Sequence, residues 1–283
     1  PPRWRSRPRV PIPPVPVHAR DTVAHGRRIS MAIPQGLLQG IDRLDPLPAT
    51  AQRLMRALQD EEIGPARIAE YIEFGPAVVS TVLRVSNSAA YGGWQRVDSI
   101  RDAVVRLGAA RLLDIVIGDY LRRLKVNAPL YDLAEDDLWL HSAAASLAVK
   151  ALQKERPRAG IPETASIAAL VHDIGKLVMV RFLKADVKQI LARRDQRNIA
   201  FVEAERDLFG CDHAEVGAEM ARRWGFPADI TAAIEQHHSV PVTSPSPTVD
   251  AVVLANLAAK AVGTGLGAEA MDLRLDEEVG RRL

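Results

Sequence analysis

The amino-acid sequence predicts an all-α fold. Ala, Leu, Val and Ile dominate its apolar residues while aromatics make up only 5%, a composition that favours packed helices over the aromatic, β-branched strands of a sandwich. From Leu47 onward, apolar residues recur at helical spacing between Pro, Gly, Ser and Asp residues of the kind that start and stop helices. With 47% hydrophobic residues in 283, the chain can bury a sizeable core.

Residues 1–40 form a segment apart. It opens Pro-Pro-Arg-Trp-Arg and continues through Pro11-Ile12-Pro13-Pro14-Val15-Pro16, which favours extended polyproline conformations and is expected to remain a disordered tail or linker. Its first residue is not Met, and Met31 stands just ahead of the ordered pattern, which leaves open a fragment end or a start-site artefact. An N-terminal bundle is expected over 41–128. Pro48 opens a segment with Leu54, Met55 and Leu58 on one face, Pro65 one with Ile68, Tyr71 and Ile72, and Pro76 one with Val79, Val82 and Leu83. After the Gly92-Gly93 break, Ser99 with Asp102 resembles a capping box, and Ile100, Val104 and Leu107 form a stripe that Gly108 ends. Another helix is expected from about Arg111 to Leu124.

A second, C-terminal helical subdomain is expected over 129–283. After a connection at Asn127 to Asp132, an Ala-rich helix should run from about Glu135 through His141 to Lys154. A loop at Arg156 to Pro162 leads to a central helix over Thr164 to Leu183, apolar around most of its circumference, which puts His172, Asp173 and Lys176 near the core. Asp212 with Glu215 marks a helix start, and Gly225 with Pro227 its end. The next helix, from near Ala228, carries Ile230 and Ile234, so His237 and His238 fall on or beside the same buried face. Val252 to Val262 is the last clear helix, and no internal repeat is evident.

Composition also excludes some functions. Cys211 is the only cysteine, so no intramolecular disulfide and no cysteine-based zinc site can form, and a reducing, cytoplasmic location is expected. No apolar run reaches the roughly 18 to 20 residues of a membrane span, so no membrane association is expected. The net charge is +2, but residues 1–30 hold seven Arg against one Asp, and the remainder is net acidic. Nucleic acid is therefore not the expected partner; a basic arm would be confined to the tail.

Five of the seven histidines lie between His141 and His238, each in or beside an expected helix. Imidazole nitrogens with a carboxylate are what Zn, Fe, Mn or Ni sites use. A single histidine on an apolar helix is more often a satisfied core residue than a ligand; five together weaken that reading. In His172-Asp173-Ile174-Gly175-Lys176, the adjacent His and Asp project about 100° apart on a helix and can bind one ion or bridge two. Lys176 reaches the same place, either to hold a substrate phosphate or to pair with Asp173.

These residues carry a resemblance. The His172–Lys176 string, with His141 upstream, His213 in Asp-His-Ala-Glu-Val-Gly and His237-His238 downstream, resembles the HD superfamily of metal-dependent phosphohydrolases and the related HD-GYP phosphodiesterases. Leu47-Pro48, the run Leu83-Arg84-Val85-Ser86-Asn87-Ser88-Ala89-Ala90-Tyr91-Gly92, the run from Ser99 to Gly108, and Trp224-Gly225-Phe226-Pro227 resemble the HDOD family, over about residues 45 to 260. The resemblance implies a multi-helix fold, an N-terminal bundle packed on an HD-like subdomain, and a bacterial signalling module that is generally not catalytic. It implies His141, His172, Asp173, His213, His237 and His238 as metal ligands. Asn256 stands where the superfamily closes its site with Asp; Asp250 is a candidate substitute, but it lies six residues earlier and so on a different helical face. The Gly-Tyr-Pro signature of the active phosphodiesterases is absent after His238, and Gly75-Pro76 replaces a usual Asp-Pro. The expected role is regulatory, binding a protein partner in a signalling pathway or a nucleotide-like ligand. The alternative is a phosphohydrolase acting on a nucleotide or cyclic dinucleotide, with a divalent Fe, Mn, Zn or Ni ion and Lys176 as the catalytic residue on phosphate. Arg84, Arg101, Arg106 and Arg111 suggest either an anion-binding surface or a solvated face, and Asn87 a backbone cap.

Overall fold

A computed structural model describes residues 33–282 except 61, 74–75, 90, 92–94, 125–127, 135, 184–185, 239–245, 265–266 and 270–276. The Pro/Arg-rich stretch before residue 33, the Gly92-Gly93 break, Gly75 and the segment after His238 thus lie outside the described residues. Helices make up the described chain; the one β feature among these residues is an isolated antiparallel bridge between Ala128 and Leu133.

The first helix, α1 (Gln35–Asp42), starts inside the stretch expected to be tail, because Leu37 and Ile41, four apart, both bury. The three Pro-initiated segments form α2 (Ala49–Ala57), α3 (Pro65–Glu73) and α4 (Pro76–Ser86). All three pack on α5 (Ile100–Leu124). Ser99 Oγ accepts from the Asp102 amide (3.1 Å) and donates to its carboxylate (2.6 Å), so the expected cap forms. Within α5, Gly108 has φ 73° and ψ 168°, a backbone that side chains disfavour. The helix therefore breaks there into two segments, as the end of the apolar stripe indicated. Asn87 donates to the carbonyls of Leu83 (2.9 Å) and Val97 (2.8 Å) and accepts from the Val97 amide (2.8 Å), which makes it a cap.

After a 3-10 turn at Pro129–Tyr131, the second half begins with α6 (Asp137–Glu155). It continues through α7 (Ala165–Val171), α8 (Gly175–Phe182), α9 (Val187–Arg197), α10 (Phe201–Phe209), α11 (His213–Arg223), α12 (Ala228–Gln236), α13 (Pro247–Ala261) and α14 (Glu277–Arg282). The expected single helix over Thr164–Leu183 is thus two helices. Between them, the amides of Ile174, Lys176 and Leu177 bond three residues back, to Val171 (3.0 Å), Asp173 (3.0 Å) and Ile174 (3.1 Å), a tighter turn than an α-helix makes. An all-round apolar pattern cannot reveal such a break, because residues 165–179, which contain it, are all buried.

Helices α6, α7 and α13 pack mutually, with α12 against α7 and α13 and α11 against α8 and α12. Helix α5 lies on α7, and buried side chains of both halves join in one hydrophobic core. Helix α1 crosses to the second half, where it packs on α8 and its Leu38 carbonyl and Asp42 carboxylate take Arg223 of α11. Among the described residues, no helix is long and apolar enough to cross a membrane.

Candidate metal centre

Five elements bring the histidines together. His141 sits on α6, His172 and Asp173 in the α7–α8 turn, His213 at the start of α11, His237 and His238 at the end of α12, and Asn256 on α13. Two local devices place them. Asp212 accepts from the Glu215 amide (2.8 Å) while Glu215 accepts from the Asp212 amide (3.1 Å), which fixes the start of α11 and so His213. Gly175 lets α8 touch α11 backbone to backbone: a Cβ there would lie 1.9 Å from the His213 carbonyl oxygen. The glycine of the His-Asp-Ile-Gly-Lys string is therefore a packing requirement that seats Asp173 beside His213.

Asp173 lies at the centre. Its Oδ2 is 3.4 Å from His172 Nε2 and 3.7 Å from His141 Nε2; its Oδ1 is 3.3 Å from His213 Nε2 and 3.6 Å from His237 Nε2. Two groups of potential ligands share it: His141, His172 and Asp173, and Asp173, His213, His237 and His238, with the ligand atoms of each group within 4.8 Å of one another. His172, His213 and His237 are fully buried. Lys176 Nζ is 2.7 Å from both Asp173 Oδ2 and Glu269 Oε2. Asn256 Oδ1 is 3.1 Å from His141 Nε2, so this substitution also lies at the centre. Asp250 does not: both its oxygens, each at 2.8 Å, hold the Arg282 guanidinium.

The outer ring nitrogens are committed to acceptors. His172 Nδ1 donates to the Ala169 carbonyl (2.7 Å), His237 Nδ1 to the Ile234 carbonyl (2.7 Å), and His213 Nδ1 to Glu205 (2.7 Å). Such bonds fix the tautomer and turn Nε2 inward, the arrangement found behind metal-bound histidines. His172 Nε2, His237 Nε2 and Asp173 Oδ1 are then buried without a hydrogen-bond partner, which buried polar atoms rarely are. His141 makes the same point, for its two nitrogens face two acceptors, the Thr264 carbonyl (3.3 Å) and Asn256 Oδ1 (3.1 Å). The inward-facing Nε2 atoms of His172 and His237, each without a hydrogen-bond partner, fit a divalent cation of the imidazole-binding kind.

Charge in the centre follows from burial and neighbours. Burial pushes His141, His172 and His238 below the usual histidine range, which keeps their rings neutral. For His213 burial also opposes charge, but the Glu205 carboxylate outweighs it and the ring is pushed up to about 10. Burial would raise Asp173 and Glu269, yet Lys176 holds both well below the carboxylate range, joined by His213 at Asp173 and by Lys260 at Glu269. In the absence of a metal, the His213 imidazolium and the Lys176 ammonium balance Asp173.

Four participants were not foreseen. Glu205 receives the Tyr131 hydroxyl (2.6 Å) on one oxygen and His213 on the other, and Glu269 takes Lys260 (2.8 Å) and faces His238 Nε2 (3.2 Å). Glu205 lies four residues after buried Phe201, and Lys260 four after Asn256, so a charge on an apolar helical face was the available signal for each. Tyr131, in a three-residue 3-10 turn, and Glu269 lie outside any α-helix and give no periodic signal. Of the four arginines, Arg106 holds the carbonyls of Ser86 (3.3 Å) and Gln95 (2.6 Å), and Arg111 holds Ser166 and Gln153 (both 3.3 Å). These two are structural ties rather than parts of a free cationic surface.

Comparison with known proteins gives a consistent result. The chain matches the HDOD domain model over residues 44–240. An uncharacterised protein of Treponema pallidum (strain Nichols) is 24% identical over 221 residues, 76% of this chain and 42% of that protein, so the chain spans less than half the length of this relative. Among solved structures, an HDOD domain protein of unknown function from Geobacter sulfurreducens is 26% identical with a TM-score of 0.62, covering 79% of this chain and 74% of its own. A proposed phosphohydrolase from Shewanella amazonensis SB2B is 26% identical with a TM-score of 0.63 over 88% and 87%. A proposed signal transduction protein from Marinobacter aquaeolei VT8 shares the fold at 23% identity, with a TM-score of 0.63 over 87% and 62%.

Proposed function

This chain belongs to the HDOD family, and we propose that it is a non-catalytic regulatory module of a signalling pathway in which the histidine cluster is a structural centre rather than a hydrolytic one. The observation that carries this reading is closure. Among the described residues, the two cavities that reach Asp173 each have a volume of about 20 Å³. That is room for about one water molecule, whereas small-molecule sites occupy roughly 300–1,000 Å³. A centre with so little room favours a structural role over phosphoester hydrolysis.

The donor set supports the same reading. Where Asp would add a second carboxylate, Asn256 supplies a neutral amide, and the remaining carboxylate, Asp173, already has Lys176 at 2.7 Å. A divalent ion held by His141, His172, Asp173, His213, His237, His238 and Asn256 would supply a Lewis acid and lower the pKa of a bound water. With a single anionic ligand, part of it already neutralised, the affinity is expected to be lower than in a carboxylate-rich site. The chain's own residues orient the rings through Ala169, Ile234 and Glu205, keep water out, and hold Asp173 ionised.

One observation favours a second reading, a metal-dependent phosphohydrolase acting on a nucleotide or cyclic dinucleotide. Asp173 presents one oxygen to each of two ligand groups, the geometry of a shared bridge, and Lys176 beside it would hold a substrate phosphate. The test is metal content by mass spectrometry on protein purified without chelator, native against His172→Ala/Asp173→Ala, together with turnover of nucleotides and cyclic dinucleotides. The regulatory reading expects no turnover in either protein. Bound transition metal with hydrolysis, both lost in the double variant, would replace it with the enzymatic one.

A further inference from the structure

A cleft away from the histidines lies between the two halves of the molecule. It has a volume of about 610 Å³ and runs between α4 and α5 on one side and α6 on the other. This is the size range of small-molecule sites, which favour such junctions. We propose that this cleft binds a nucleotide, with phosphate on Arg84, Arg122 and Lys150 and the base against Trp139 and Tyr91, independently of the histidine centre. The proposal rests on the signalling reading and gives its signal a place and a chemical class.

Three features carry it. The first is charge. Arg84, Arg122 and Lys150 line the cleft against Asp114 and Asp119. Among the described residues Asp119 takes Arg122 (3.2 Å) and Arg123, and Asp114 takes Lys150 (2.7 Å), while Arg84 is exposed and has no acidic partner. An arginine without a carboxylate, beside two further cations, is suited to phosphate, which its planar fork can bind with two parallel bonds.

The second is a buried carboxylate that fixes a cation in the lining. Asp114 is buried, and its Oδ2 accepts from Lys150 (2.7 Å) and from Ser166 Oγ (2.9 Å), which holds the Lys150 ammonium at the cleft wall. The third is the apolar wall. Trp139 and Tyr91 offer aromatic faces, and Leu147, also in the lining, is 65% exposed. Base stacking on aromatic side chains contributes whatever the base. Phosphate alone would need none of these.

Trp139, Arg122 and Leu170 line both this cleft and the small cavity that reaches Asp173. A ligand in the cleft therefore presses on side chains that also border the histidine centre, a direct packing route by which occupancy can be read at the core.

The experiment is calorimetric titration of the full chain with ATP, GTP and pyrophosphate, with chelator present and magnesium omitted. At least one nucleotide is expected to bind, and pyrophosphate at least about tenfold more weakly. A charge-assisted bond contributes about 1.5–3 kcal/mol, so Arg84→Ala should weaken nucleotide binding by about 10- to 150-fold while its thermal melt stays native, since Arg84 is exposed. Arg101→Ala, at an exposed arginine outside the cleft lining, should leave the affinity unchanged. The proposal is overturned if neither nucleotide binds, if pyrophosphate binds as tightly as the nucleotides, if Arg84→Ala and Arg122→Ala bind like the native chain, or if Arg101→Ala weakens binding as much as Arg84→Ala. The signalling reading fails separately, by hydrolysis in the turnover assay.

Discussion

The contact between Gly175 and α11 sets the geometry of the centre, and Gly175→Ala tests it. The added Cβ would sit 1.9 Å from the His213 carbonyl oxygen, 2.6 Å from the Gly217 nitrogen and 2.9 Å from the His213 carbonyl carbon. An ordinary non-bonded separation is about 3.5 Å, so α8 and α11 would have to part by well over an ångström. The obstructing atoms are main chain and cannot rotate away. Overpacking of this kind costs about 1–3 kcal/mol, and here the upper end, about 3 kcal/mol, is expected. Urea unfolding followed by circular dichroism measures it. Gly36→Ala, with nothing within 4 Å of the new Cβ, is the control and should stabilise α1 by up to about 1 kcal/mol. If Gly175→Ala unfolds within about 0.5 kcal/mol of the native chain, the close approach is not what places Asp173 beside His213.

Other substitutions probe the surroundings of the centre. Glu205→Gln keeps the shape but removes the charge that orients His213, and should weaken zinc binding by about 10- to 100-fold in competition with a chromophoric chelator; unchanged affinity would separate Glu205 from the centre. Asp250→Asn loses the two-bond pair with Arg282 and should cost about 1–3 kcal/mol while leaving metal content as it was; a fall in bound metal would return Asp250 to the ligand set. Cys211 is fully buried, and burial together with Glu215 pushes its thiol up to about 12. It should resist a disulfide reagent at pH 8 in the folded chain and react once when the chain is unfolded in denaturant; rapid reaction of native protein would contradict its placement.

Much of the fold was legible in the sequence because its signals are local. The prolines before α2, α3 and α4, the Ser99 and Asp212 caps and the positive φ of Gly108 act within a few residues, so composition and spacing reveal them. The histidine set was legible for a related reason: imidazoles are scarce in this chain and cluster in its second half. Periodicity did not reveal the break between α7 and α8, since residues 165–179 on both sides of it are buried and no face is marked there. It also missed α1, whose two buried residues, Leu37 and Ile41, are too few to make a stripe.

What tertiary structure alone decided is the pairing of charges and the room around them. No local pattern tells whether Asp250 or Asn256 faces His141, because both sit on the same buried helix; Arg282, 32 residues away, takes one and leaves the other at the centre. Glu205, Glu269 and Lys260 enter through contacts between elements distant in sequence, where the energy of a buried charge depends on what else is buried beside it. The sequence by itself determined which residues could bind a metal and in what family of fold. How much room surrounds them is set only by packing, which leaves the two described cavities at Asp173 a volume of about 20 Å³ each and a cleft of about 610 Å³ between the halves.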